Sequence, residues 1–103
     1  KGALAAEARY EIANCWFAVN HLSEAEKAAF ETINKSGSYD YWVTKAYILL
    51  GDIYFKQKDY FNAKATYQSI VNNSIDIDLK NEAQTKLNKV LEEENANSKV
   101  NNQ

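Results

Sequence analysis

A displacement of 38 residues lays positions 8–33 of this chain over positions 46–71 and brings residues of like size into register. Ala8 falls on Ala46, Ala13 on Gly51, Trp16 on Tyr54, Phe17 on Phe55 and Ala25 on Ala63. Only the first pair and the last two are identities, so what recurs is size and position. No other feature limits the fold as much. A unit of this period is a single supersecondary element, too small to bury its own apolar face, and successive units must stack.

The recurring unit reads as a pair of helices. From residue 3 to 19, apolar residues at Ala5, Ala8, Ile12, Ala13, Trp16 and Val19 advance by threes and fours. That spacing predicts one buried helix face. Asn20 and His21 interrupt it. Ser23 with Glu26 fits a capping box, and Ala25, Ala28, Ala29 and Ile33 continue the period to Asn34. A third helix is expected from near Asp40 to Lys56. A fourth, N-capped by Asp59, carries Ala63, Tyr67, Ile70 and Val71 inward. Asp76 or Asp78 can cap a fifth that holds Leu79, Ala83, Leu87, Val90 and Leu91. The chain has no proline and three glycines, which suits helices on short turns and argues against a strand-rich fold. Residues 95–103 are polar and without period, and are expected to be a frayed end or disordered tail.

Two helices that cross closely need small residues at the crossing. Gly51 and Ala63 are expected there, with Tyr54 and Tyr67 filling the space above and below. The stretch AYILLGDIYFKQKDYFNAKATYQSI, residues 46–70, resembles a tetratricopeptide repeat (TPR). Tyr47, Leu50, Gly51, Tyr54, Ala63 and Tyr67 occupy six positions of that pattern in order. Ile70 stands where Ala is usual, and Ile75 where Pro is usual. The first unit departs further: Ala13 replaces Gly, Trp16 takes the aromatic place, and Phe30 arrives one residue late. The longer stretch YDYWVTKAYILLGDIYFKQKDYFNAKATYQSIV is similar to the terminal repeats of large bacterial cell-envelope TPR proteins. The resemblance implies an all-α, antiparallel helix-hairpin solenoid within residues 1–91. Its repeats would span 3–36 and 40–74, with a capping helix at 76–94 and further repeats upstream. It also implies a protein-interaction scaffold in the cell envelope or periplasm, or in the cytoplasm. The alternative is an architectural end unit with no ligand of its own.

In TPR stacks one stripe of the first helix of each pair lines the concave face. Here that stripe holds Tyr10, Asn14 and Phe17 on the first helix, and Lys45, Ile48, Asp52 and Phe55 on the third. These seven are the candidate partner-binding residues. They either form a peptide groove or pack against the fifth helix or a neighbouring domain. Trp16, Tyr47, Tyr54 and Tyr67 are assigned to the core. Some TPR domains clamp a peptide's terminal carboxylate with Lys and Asn side chains. Asn14 and Lys56 match that clamp, whereas Tyr10 stands for a Lys and Asp52 for an Asn. A free Asp52 would repel a carboxylate, so the expected ligand is apolar or cationic.

Other chemistries find little support. The single histidine, His21, sits at a turn with no Cys, His or Asp at ligand spacing, and Cys15 is expected as a small buried filler. Asp76, Asp78 and Glu82 lack the glycine and regular oxygens of a calcium loop. No nucleophile–base or phosphate-cradling constellation is present, so no catalytic residue, cofactor or metal is expected. A net charge of −2 with eleven scattered lysines and one arginine offers no basic face for nucleic acid, and no apolar run approaches a membrane span. The chain opens on Lys1 without an initiator Met or a signal-like segment, and is expected to begin within a longer protein.

Overall fold

The structure, a computed structural model, describes the backbone of residues 2–101 and the side chains of residues 2–98. Five helices follow one another: α1 Gly2–Ala18, α2 Leu22–Lys35, α3 Asp40–Lys56, α4 Tyr60–Asn73 and α5 Ile77–Asn101. The described residues contain no strand. The 38-residue displacement returns in the backbone: α1 and α3 are both 17 residues long, α2 and α4 both 14, and each pair is offset by 38.

The turns repeat as closely as the helices. Asn20 and Lys58 both take a left-handed φ of 64°. Immediately after them, the amides of His21 and Asp59 donate to the carbonyls of Trp16 (2.9 Å) and Tyr54 (2.8 Å), five residues back. Such bonds close the end of a helix whose last carbonyls lack partners. His21 (φ −90°, ψ 78°) and Asp59 (φ −88°, ψ 78°) then start the next helix from the same conformation. With only three linking residues, each pair must fold back as an antiparallel hairpin.

Every helix packs on the next in sequence; α3 also touches α1 and α5, while α2 and α4 do not meet. The odd-numbered helices therefore form one layer and the even-numbered helices the other. One core cluster joins Ala13, Ala25, Ala29, Leu49, Leu50 and Ile53, tying α3 to the first hairpin. The second joins Ile48, Ala63, Tyr67, Ile70, Leu79, Ala83, Leu87 and Val90, tying α3 and α4 to α5.

Several expectations are corrected. Of the proposed α1 stripe, only Ala13 is buried; Ile12 (56% exposed), Trp16 (38%) and Val19 (60%) face outward, and so does Cys15. The inward positions are Ala6 and Ala13, with Tyr10 and Phe17 packed beside them. α1 is apolar on two sides, and the partners that are present, α2 and α3, choose the other one. Tyr47, 41% exposed, also lies outside the core, whereas Tyr67 is fully buried. The capping box at Ser23 does not form, because α2 starts at Leu22 with His21 as its N-cap and no side-chain cap. Asp59 does cap α4, accepting from the Asn62 amide. At α5, Asp76 caps in preference to Asp78, accepting from the amides of Asp78 (3.0 Å) and Leu79 (3.1 Å).

The expected tail from Asn95 is helical as far as Asn101, and Asn102 and Gln103 lie outside the described residues. Polar contacts hold this extension. The Tyr60 hydroxyl donates to Glu93 (2.8 Å) and accepts from Asn97 Nδ2 (2.6 Å). Lys58 and Lys64 pair with Glu93 (3.0 Å) and Glu94 (2.7 Å). A search for apolar periodicity cannot register such contacts.

Candidate functional site

The seven candidate residues divide into four groups. Ile48 is buried beneath Leu79, Ala83 and Leu87, so α5 has taken its place on the stripe. Tyr10 and Lys45 sit toward the α3 N-terminus. The Tyr10 ring lies 5.7 Å from Trp42, and Lys45 Nζ stands 5.5 Å from the Tyr10 centroid, within cation–π reach. Burial, then the neighbouring Glu11 carboxylate, pushes the Tyr10 hydroxyl up to about 12. Asn14 is exposed between the two ends.

Phe17, Asp52 and Phe55 come together at the other end. With Lys56, Lys58, Tyr67, Lys86, Lys89 and Glu93 they line a cleft of about 610 Å³ between α1, the end of α3 and α5. That volume falls within the ~300–1,000 Å³ usual for ligand clefts. Phe17 and Phe55 are both half-buried, and Phe55 is braced by Tyr60 at 6.2 Å between ring centres. The backbone explains their pairing: each is the next-to-last residue of the repeat's first helix, three residues before the left-handed turn residue.

Asp52 is the polar floor of the cleft. Its carboxylate accepts from the Tyr67 hydroxyl on α4 and from Lys86 Nζ on α5 (2.9 Å), and Lys86 also reaches Glu82 (3.2 Å). Three helices meet at this one side chain. Burial raises the Asp52 carboxyl above its usual range, while Lys86 and the Tyr67 hydrogen bond pull it back. Burial, the largest single effect, acts to lower Lys86, but the charges and hydrogen bonds of Asp52 and Glu82 together outweigh it and the ammonium ends above its usual value. The Tyr67 hydroxyl is raised as well, by burial first and then by Asp52. Asp52 is therefore not the free carboxylate assumed from the sequence, and the expected preference for cationic ligands loses its basis.

Packing against the fifth helix was one of the expected alternatives, but the α5 side chains that line the cleft were not named. Glu82, Lys86, Lys89 and Glu93 advance by four, three and four, which places them on one helix face beside the apolar Leu79, Ala83, Leu87 and Val90. That charged stripe was legible; that it meets Asp52 and the two phenylalanines in one cleft was not. Among the described residues, no cluster of three or more His, Cys, Asp or Glu is placed to hold a metal. No described helix is long and apolar enough to cross a membrane. Neither a protein-family model, nor a curated protein, nor a solved structure matches the chain.

Proposed function

We propose that this chain is a protein-interaction scaffold of tetratricopeptide type, which docks a segment of a partner protein in the Phe17–Phe55 cleft. The observation that carries the reading is the cleft itself. Two aromatic side chains stand half-exposed at equivalent repeat positions, on helices packed against α2 and α4, above a floor whose polar groups are already satisfied. Aromatic anchors in a preformed recess are the usual source of interface affinity. The likeness of residues 46–70 to a TPR supports the same class of function and, more remotely, a place among bacterial envelope assemblies.

The second reading, an architectural end unit without a ligand, draws on the burial of Ile48. α5 fills part of the concave stripe with the chain's own side chains. A random-peptide display library panned on the wild type distinguishes the two. Selected peptides should lose more than about tenfold in affinity on Phe17→Ala/Phe55→Ala. They should keep it on Phe61→Ala, a solvent-facing site on α4. Failure to select any peptide that depends on the two phenylalanines would favour the end unit.

A further inference from the structure

We infer that the cleft takes an acidic segment, one that places an apolar side chain between Phe17 and Phe55 with carboxylates beside it. The inference rests on the cleft being the binding surface. Its lining holds four lysines, Lys56, Lys58, Lys86 and Lys89, against two carboxylates, Asp52 and Glu93. Both carboxylates are occupied: Lys86 holds Asp52, and Lys58 holds Glu93. Lys56 and Lys89 make no ion pair among the described side chains, and both are exposed. Two further acids lie nearby: Glu82 shares Lys86 with Asp52, and Glu92 borders the adjoining recess with Lys89 without pairing to it.

An arriving ammonium group thus finds no free carboxylate in the cleft proper. A carboxylate finds two unpaired ammonium groups beside an apolar wall, and such charge complementarity steers and orients a partner. The chain as a whole is acidic. The free positive charge of the cleft is confined to this recess, so the fit is to a short segment and not to an extended polyanion.

The test uses three labelled peptides with blocked ends, so that no terminal carboxylate contributes. The first has two aspartates on each side of a phenylalanine, the second has lysines in place of the aspartates, and the third has alanine in place of the phenylalanine. Each is titrated by fluorescence anisotropy against wild type, Lys56→Gln/Lys89→Gln and Phe17→Ala/Phe55→Ala, with folding of each variant checked by circular dichroism. The acidic phenylalanine peptide should bind wild type at least about tenfold tighter than the other two. It should weaken by about tenfold on the lysine variant, and should weaken again when salt rises to ~0.3 M. Tighter binding of the lysine peptide, or equal binding of the acidic peptide by wild type and the lysine variant, overturns the charge assignment. The cleft itself survives that outcome if Phe17→Ala/Phe55→Ala still weakens whichever peptide binds. Binding indifferent to both variants, or no binding of any peptide, overturns the inference and the cleft together.

Discussion

At the scale of single residues, the two hairpins solve one packing problem with opposite choices. Gly51 lies against the Tyr67 ring: a Cβ built on it would stand 2.7 Å from Tyr67 Cζ and 2.8 Å from Cδ1. One repeat earlier the same positions are Ala13 and Ala29, both fully buried. Glycine makes room there for a tyrosine ring, where the first hairpin has two alanines. Ala63, expected at the crossing, is buried, but the ring is what meets Gly51. Tyr67 is pinned by burial and by its bond to Asp52, so it cannot yield. Gly51→Leu should therefore overpack the hairpin and cost about 1–3 kcal/mol or more, read as a lower denaturant midpoint; an unchanged midpoint would reject the contact. The caps differ between repeats in the same way. His21 holds the backbone angles of Asp59 but makes no cap; its ring lies 5.3 Å from that of Trp16 and its Nδ1 3.9 Å from Glu24. His21→Asn should supply the missing acceptor and raise stability by about 0.5–1 kcal/mol, seen as a higher melting temperature.

At the scale of helices, α1 and α3 show how one pattern can be buried in one copy and bare in the other. The displacement carries Ala8, Ile12 and Cys15 onto Ala46, Leu50 and Ile53. The latter three are buried, Leu50 and Ile53 in a core shared with Ala25 and Ala29 of α2. No described helix stands before α1 in the way that α2 stands before α3. Equal substitutions should then have unequal effects. Leu50→Ala should cost about 2–5 kcal/mol, while Ile12→Ser should stay within about 0.5 kcal/mol; chemical denaturation of the two variants compares them directly. The helix ends of the second repeat, the Asp59 cap and the 38-residue step were legible, because each is local or periodic. The facing of α1 was not, because two apolar stripes compete and only the neighbours decide. The extension of α5 was hidden because Glu93, Glu94 and Asn97 are held by polar partners on α4 and the turn before it, far away in sequence.

Across the whole molecule, Asp52 is where α3, α4 and α5 are joined, and it ties the fold to pH. Its carboxyl is raised by burial, against the pull of Lys86 and Tyr67. A folded value above the unfolded one means that protonation favours the folded state. This contribution is fully present below the unfolded pKa and is lost as pH rises through the raised one. Wild type should gain stability relative to Asp52→Asn as pH falls from about 6 to about 3.5, and urea unfolding of both proteins across that range measures the difference. A constant difference would mean that Asp52 titrates normally. The same junction leaves Phe17 and Phe55 open beside Ile48 and Asp52, the part of the stripe that α5 covers. The most direct measurement of that claim is backbone amide chemical-shift mapping of the chain with a peptide selected from the display library. Shifts should cluster at Phe17, Phe55, Lys58, Lys86 and Lys89, on elements far apart in sequence. Shifts confined to the outward face of α1, at Leu4, Ile12, Trp16 and Val19, would contradict it and move the binding surface to the other side of the first hairpin.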